Sequence, residues 1–338
     1  MVWSKFTLKY YKQFKNIYNL KNNNKLLKSI RKERKLILEF ININTNLNYT
    51  ITILDNVLKT KIKDYTNGIF VYKEGIWNSI DTIPDEYLIE WGSNKIYIKT
   101  TKKQFDNLKN RLSLLITFLE YIKSKSNKQE RILNIYLILT PLKKNIPNSD
   151  YITVPNVNSG YTDFMKNIIF IWRLEEFEKV LLHEVLHFFD MDCRDYEHHT
   201  MFNIDSGHNE NMEERLYEAY TDFFAIYYHL IYLSTVTRVK IKKLLQLELS
   251  FICNQAQYVN AFFKLNDWNN TPTTILKQST SAFSYYILKY LIFEYALNNN
   301  INSFVINNKI INKILSIGFK SKEYQQILSL RMTLLQLL

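Results

Sequence analysis

The sequence is poor in the residues that build disulfide frameworks and flexible linkers. Its 338 residues include two cysteines, five prolines and six glycines. Cys193 and Cys253 do not make the disulfide framework of a secreted scaffold, and their scarcity favours a reducing compartment. So few prolines and glycines argue against long flexible linkers, and the chain has no internal repeat. A chain of this length can bury a substantial core, in one large domain or two.

Long hydrophobic runs are also missing. The N-terminus carries lysines where a secretory signal has its continuous apolar region, so we expect no signal peptide. The longest charge-free apolar stretch, around Phe223 to Val236, is shorter than the roughly 20 residues that span a bilayer. We therefore expect no transmembrane segment and an intracellular, cytoplasmic location.

Acidic residues are scarce near the N-terminus. Residues 1–38 contain 11 Lys or Arg and one acid, Glu33, and the whole chain has a net charge of +12. This basic segment is interpreted first as a solvated helical region whose aromatic side chains pack against the body. A weak contact with nucleic acid or another anionic surface is the alternative.

One stretch has the spacing of a metal site. Residues 181–189 place His183, Glu184 and His187 in the order H-E-x-x-H within an apolar run. Residues four apart share a helix face, so both imidazoles can bind one metal ion. Glu184 is within reach of a water molecule beside that ion, as a zinc hydrolase requires. The alternative is a core helix whose histidines form ordinary hydrogen bonds.

A zinc site of this kind needs a third protein ligand. Glu218 and Asp222 are again four apart in an apolar helical stretch, where one carboxylate can bind metal and the other can accept a hydrogen bond from a ligand histidine. Glu210 and Glu214 are rival third ligands. We interpret Cys193 as a buried or incidental thiol.

The pair of motifs resembles the gluzincin, thermolysin-like branch of zinc metallopeptidases, which have H-E-x-x-H on one helix and E-x-x-[S/T]-D on a second. The resemblance covers roughly residues 150–225. It implies a Zn²⁺ site with His183, His187 and Glu218 as ligands. It further implies Glu184 as the general base and Asp222 as the partner of a ligand histidine. The sequence departs from the thermolysin pattern at the residue before Glu218, which is tyrosine instead of asparagine, and in its wider spacing between the motifs.

The abundance of Asn, Ile, Lys and Tyr is also similar to that of metallopeptidases of large DNA viruses. This second resemblance implies a virus-encoded processing endopeptidase that acts on a protein or peptide substrate in the host cytoplasm or the virion. The alternative function is a non-catalytic zincin-like virion or nucleic-acid-binding protein that uses its basic N-terminal segment. The intact Glu184 argues against that alternative. An aminopeptidase would need an acidic pocket for the substrate amine.

The predicted fold class is α+β and zincin-like. A mixed sheet with helices forms the N-terminal half, the C-terminal half is mostly helical, and the active-site cleft lies between them. The predicted division is a basic helical segment at 1–45, an α+β lobe at 46–200 and a helical lobe at 201–338. The residue that stabilises the oxyanion is predicted to be His208, Tyr285 or Tyr286.

The predicted elements follow the periodicity of the apolar residues. Strands are expected at 48–54 and 132–142, and as a pair within 68–77. A turn at 156–162 is expected to lead into a strand at 167–173, and residues 156–173 are expected to supply a substrate-binding edge. Helices are expected at 1–40 with a break near 22–24, and at 100–125, 174–190, 212–235, 238–264, 279–298, 303–317 and 321–337. Residues 191–211 are predicted to form a polar loop or lid.

Overall fold

The computed structural model describes residues 3–14, 18, 20–21, 24–44, 47–192, 202–207, 215–265, 275–299, 308–319, 322–325 and 329–337. Within these ranges the chain combines many helices with a mixed β-sheet, as the sequence predicts.

The main sheet has six strands in the order β1-β2-β3-β4-β6-β5. They are β1 (Thr50–Leu54), β2 (Asp85–Trp91), β3 (Asn94–Thr100), β4 (Asn134–Thr140), β5 (Gly160–Asp163) and β6 (Ile168–Arg173). The β3–β4 and β4–β6 pairs are parallel, and the other pairs are antiparallel. The strand predicted at 132–142 is therefore central. The predicted edge is only partly correct: the strand predicted at 167–173, β6, is interior because it pairs with both β4 and β5. The border of the sheet is β5, which forms where a turn was predicted.

Both faces of the sheet are covered. Ile169 and Ile171 of β6 belong to the larger core cluster, whereas Phe170 and Trp172 belong to a smaller cluster on the other face. Every residue of β6 is buried, as is usual for a strand inside a parallel region with covered faces. This explains why the sequence of β6 is apolar throughout and lacks the alternation of a half-exposed strand.

Eleven helices are found among the described residues. They are α1 (Lys5–Phe14), α2 (Lys25–Ile43), α3 (Leu58–Lys61), α4 (Lys73–Ser79), α5 (Lys102–Lys125), α6 (Val154–Val157), α7 (Phe177–Phe188), α8 (Leu216–Thr237), α9 (Ile241–Phe262), α10 (Lys289–Asn298) and α11 (Asn308–Leu315). A π-helical turn at Ser284–Leu288 leads into α10. Short strands β7 (Asn203–Asp205) and β8 (Ile275–Lys277) pair in parallel as a second sheet.

Helix α5 connects the parallel strands β3 and β4, which need a long crossover. Thr101 caps its N-terminus, and Gln104 completes a capping box by bonding back to the Thr101 amide. This helix agrees closely with the one predicted at 100–125.

The basic N-terminal segment forms two helices, as predicted. Tyr10 and Phe14 of α1 and Leu27 and Ile30 of α2 are buried in the core, and all the lysines of both helices are exposed. The ring of Phe14 lies 5.7 Å from that of Phe251 on α9 in an edge-on contact. The buried rings are therefore packing residues, as the first interpretation proposed.

Two other element predictions are wrong. The strands predicted within 68–77 are replaced by α4, where Gly75 lies against the ring of Tyr72; a Cβ on Gly75 would come within 2.2 Å of that ring. The helix predicted at 321–337 is absent from 322–325 and 329–337. Strands β2 and β3 were not predicted, and they form a hairpin that turns at Gly92, whose φ of 54° favours glycine.

Residues 329–337, here called the C-terminal segment, are non-helical and buried. Side chains form hydrogen bonds with the backbone N–H and C=O groups of this segment, which in a helix would pair with one another. Gln255 donates to the carbonyls of Ser329 and Arg331, and the carboxylate of Glu176 accepts from the amide of Thr333. The segment is buried on all sides, and this explains its apolar residues without a helix.

The larger core cluster contains residues from all three predicted parts of the chain, 1–45, 46–200 and 201–338. Among the described residues, no helix has the length and hydrophobicity needed to cross a membrane.

Candidate metal centre

The H-E-x-x-H residues lie on α7, directly after the buried strand β6. Every residue of α7 is buried, including His183, Glu184 and His187. The two imidazoles are one helical turn apart, and their Nε2 atoms approach to 3.0 Å. The helix periodicity thus aims both rings at one point, as the sequence predicts.

Helix α8 brings the third residue to the same point. Its first turn contains Glu218, whose Oε2 lies 3.2 Å from Nε2 of His183 and 3.2 Å from Nε2 of His187. The side chain of Glu218 is 12% exposed. The three residues form the one group of this kind among the described parts of the chain, with all candidate ligand atoms within 4.8 Å of one another.

This triangle of atoms fits a divalent metal ion. Zinc ligands lie about 2.0–2.1 Å from the ion, so tetrahedral ligands are about 3.3–3.4 Å apart, close to the 3.0–3.2 Å separations found here. Nδ1 of His187 is hydrogen-bonded to Asp192, so a neutral His187 presents the lone pair of Nε2 to the centre. A cation between two imidazole lone pairs and a carboxylate would relieve their mutual repulsion.

The outer nitrogens of both histidines face carboxylates. Nδ1 of His183 lies 3.2 Å from Oδ1 of Asp222, and Nδ1 of His187 lies 2.6 Å from Oδ2 of Asp192. Such carboxylates fix the orientation of ligand histidines. Asp222 was predicted to accept a hydrogen bond from a ligand histidine; it lies beside Nδ1 of His183, but the geometry of this contact is not that of a hydrogen bond. Asp192 was predicted only as part of a polar loop, although its position five residues after His187 placed it near the end of the motif helix.

Asp222 is itself held by two lysines that the sequence analysis missed. Lys179 on α7 bonds Oδ1, and Lys289 on α10 bonds Oδ2 at 2.7 Å. All three side chains are 0–1% exposed. Lys179 precedes His183 by one helical turn, so helix periodicity could have predicted its position beside the site. Lys289 comes from a distant part of the chain.

Burial and neighbouring charges separate the pKa values of the two histidines. Burial lowers the pKa of His183 to about 3, despite its hydrogen bond with Glu218, so its ring is neutral. Burial also lowers the pKa of His187, but the carboxylates of Glu218 and Asp192 outweigh that effect and raise it to about 10. A metal ion at Nε2 would compete with the proton on His187, because both use the same lone pair.

Glu184 faces the same cleft from the next position on α7. Burial raises the pKa of Glu184 to about 7, although its hydrogen bond with Thr162 opposes the shift. The Thr162 hydroxyl lies 2.9 Å from Oε2 of Glu184 and belongs to the edge strand β5. A carboxyl group with a pKa near neutrality is suited to take up and return a proton.

The cleft runs between β5 and the residues that hold the triangle. Gly160 of β5 lies against α7. A Cβ added to Gly160 would come within 2.9 Å of Cγ1 of Val180 on α7 and within 3.2 Å of the carbonyl of Phe170 on β6. Only a glycine lets β5 approach α7 this closely. The cleft is further lined by Phe70, Asn158, Tyr161, Phe164, Arg215 and Tyr285.

The two tyrosines proposed for the oxyanion have different environments. The hydroxyl of Tyr285 lies 3.0 Å from Oε2 of Glu218, in the cleft. The hydroxyl of Tyr286 instead donates to the carbonyl of Leu330 in the C-terminal segment. Burial, together with the charges of Glu218 and Glu184, holds the pKa of Tyr285 well above its usual value, so its hydroxyl keeps its proton. The third candidate, His208, lies outside the described residues, as do Glu210, Glu214, Cys193 and most of the predicted lid.

A buried group of charges fixes the start of α7. Glu176, in the left-handed conformation with φ 62°, precedes the helix, and its Oε2 lies 2.8 Å from Nζ of Lys144. Arg331 of the C-terminal segment lies 3.7 Å from Oε1 of the same carboxylate. The C-terminal segment therefore contacts the base of the helix that carries the histidines.

Comparison of the chain with known protein families, curated proteins and solved structures gives no match.

Proposed function

We propose that the chain is a zinc-dependent metallopeptidase with a zincin-like arrangement, in which His183, His187 and Glu218 bind the metal. The observation that carries the proposal is the equal 3.2 Å distance from one oxygen of Glu218 to the Nε2 atoms of both histidines. Two neutral imidazoles and a carboxylate form one of the donor sets of catalytic zinc sites, which keep a further position for water or substrate.

Zinc, when bound, supplies a Lewis acid that acidifies water and polarises a carbonyl group. The residues of the chain supply the rest. Glu184 accepts a proton from the water that attacks the peptide carbonyl carbon. When the C–N bond breaks, Glu184 returns that proton to the leaving amine. Tyr285, whose hydroxyl lies 3.0 Å from Oε2 of Glu218, would donate a hydrogen bond to the developing oxyanion.

The free edge of β5 supports a peptide as the substrate. One side of β5 pairs with β6, and the other side is not paired with any strand of the described chain. An extended peptide can add to such an edge through main-chain hydrogen bonds. Thr162 on this strand contacts Glu184, so a peptide beside β5 would pass the proposed base.

The test compares the zinc-loaded wild type with Glu184→Gln on a peptide library analysed by mass spectrometry. We expect the wild type to cleave internal peptide bonds. Glu184→Gln should keep its zinc and lose roughly 10²–10⁴-fold in rate. A chelator should abolish cleavage and added zinc should restore it. A chain that binds no zinc, cleaves nothing and is retained on DNA in a salt-sensitive way would favour the non-catalytic alternative.

A further inference from the structure

An arginine in the cleft has no role in the chemistry described above. Arg215 immediately precedes α8, and its carbonyl accepts a hydrogen bond of 3.0 Å from the amide of Glu218. Its side chain lines the same cleft as Glu184 and the three proposed ligands. The guanidinium carbon lies 5.2 Å from the centre of the Phe70 ring. This contact with an aromatic face holds the guanidinium at one wall of the cleft.

Arg215 differs from Arg111 and Arg331 in having no carboxylate partner. Arg111 lies 2.6 Å from Glu178, and Arg331 lies 3.7 Å from Glu175. The guanidinium of the buried Arg173, in turn, donates to two backbone carbonyls. Within the described parts of the chain, no acidic group lies within the 4.0 Å ion-pair distance of Arg215. A half-buried guanidinium retains five N–H donors in a planar fork, which matches the two oxygens of a carboxylate.

The position of Phe70 locates this arginine along the cleft. The carbonyl of Phe70 accepts a hydrogen bond of 3.3 Å from the side chain of Asn158, two residues before β5 begins. A peptide that pairs antiparallel with β5 runs in the opposite direction to the strand. If its scissile bond lies beside Glu184, next to Thr162, the residues that follow this bond lie near the start of β5. Antiparallel pairing is also the more stable arrangement per residue.

We infer that Arg215, stacked on Phe70, forms a subsite for a carboxylate carried by the part of the peptide that follows the scissile bond. The inference rests on the proposed peptidase function and specifies its substrate class. The carboxylate comes either from an acidic side chain or from a free C-terminus, because both present the same planar pair of oxygens to the guanidinium.

The test measures binding, so that it does not depend on turnover. Three pools of acetylated hexapeptides with randomised neutral residues are incubated with zinc-loaded Glu184→Gln. The first pool has one glutamate at varied positions and an amidated C-terminus. The second replaces that glutamate with glutamine, and the third has glutamine and a free C-terminus. The retained peptides are quantified by mass spectrometry.

We expect retention of the glutamate pool, the free-carboxylate pool or both to exceed that of the neutral pool by about 10- to 100-fold, the range of a charge-assisted hydrogen bond. Comparison of the first and third pools identifies the source of the carboxylate. Adding Arg215→Met should abolish the preference, and Arg215→Lys should keep part of it, because the charge remains and the fork is lost.

The chain has a net charge of +12, which attracts anionic peptides without any specific site. Arg238, at the opposite end of α8, supplies the matched control, since Arg238→Met removes the same charge far from the cleft. The preference should survive Arg238→Met. Equal retention of all three pools, or a preference that survives Arg215→Met, would overturn the subsite.

The outcomes also separate the subsite from the peptidase proposal. If the wild type cleaves peptides but none of the pools shows an Arg215-dependent preference, the subsite is wrong and the peptidase proposal stands. If retention depends on Arg215 while the wild type cleaves nothing, the carboxylate subsite stands and the peptidase proposal fails.

Discussion

His183 and Asp222 lie face to face on neighbouring helices, with Nδ1 of the histidine 3.2 Å from Oδ1 of the aspartate. The carboxylate is fully buried and also contacts the ammonium groups of Lys179 and Lys289. Two lysine side chains thus hold the aspartate that lies against the histidine. The arrangement links the proposed metal centre to α10 and, because Lys289 also donates to the carbonyl of Met332, to the C-terminal segment.

Asp222→Asn should therefore impair both the metal site and the fold. We expect zinc affinity to fall about 10- to 100-fold, because His183 loses its anionic partner. Stability should fall by about 3–5 kcal/mol, because two buried ammonium groups lose their counterion. Zinc titration and urea unfolding measure the two effects. Adding Lys179→Met should recover part of the stability while zinc affinity stays low. Wild-type zinc affinity in Asp222→Asn would contradict the proposed role.

Tyr285 and Tyr286 provide a matched pair of adjacent substitutions. Tyr285→Phe should lower kcat by about 10²–10³-fold with little change in zinc content, because it removes a donor to the oxyanion. Tyr286→Phe should keep kcat and cost about 1 kcal/mol in stability, because its hydroxyl bonds Leu330 away from the cleft. Steady-state kinetics on a library-derived peptide distinguishes the two, and equal kcat values would exclude Tyr285 from the reaction.

The ion pair below α7 predicts a defined response to acid. Burial opposes ionisation of Glu176, but the charges of Lys144, Arg331 and Lys179 outweigh it and lower its pKa from 4.5 to about 2. A depressed carboxyl pKa adds stability above the unfolded-state value, and this contribution is lost as pH falls from about 4.5 through about 2. The shift of this carboxyl group alone corresponds to about 3 kcal/mol at neutral pH. Burial lowers the pKa of the partner Lys144, which offsets part of that contribution.

Urea unfolding of Glu176→Gln and of the wild type tests this response. A chelator is present throughout, so that zinc release does not contribute to the measured free energy of unfolding. The variant should be less stable at pH 7, and the difference should shrink as the wild-type carboxylate becomes protonated. Glu39→Gln is the surface control, because Glu39 is 54% exposed and lies 3.7 Å from Lys35. Exposed pairs contribute roughly 0–1 kcal/mol. A stability difference for Glu176→Gln that is constant with pH would contradict the account.

The parts of the site that follow from helix periodicity were predictable from the sequence. His183 and His187 share a face because they are four residues apart, and Glu218 and Asp222 do so for the same reason. Which helix faces meet depends on tertiary packing. The contact between α7 and α8 was therefore expected from the need for a third metal ligand and from the family resemblance, and not from periodicity. Lys289 reaches Asp222 across more than sixty residues of chain, and no local pattern predicts such a contact.

Burial explains the failures in the fold prediction. The C-terminal segment has apolar residues at helical spacing, but it is enclosed on all sides and uses Gln255 and Glu176 as hydrogen-bond partners. Its structure is set by neighbours distant in sequence, which a periodicity argument does not include. The 68–77 region was predicted as two strands from a short apolar run, and periodicity alone does not distinguish such a run from a short helix. In the structure Gly75 lies in α4, against the ring of Tyr72.

The most direct test of the account is the zinc content of the purified chain, measured by mass spectrometry of the metal. We predict about one zinc ion per wild-type chain, as expected for three protein ligands around one ion. Glu184→Gln, which alters the same cleft without removing a ligand, should keep it, and His183→Ala and Glu218→Ala should lose it. Wild-type zinc content in Glu218→Ala, above all if Glu214→Ala lost the metal, would contradict the proposed centre.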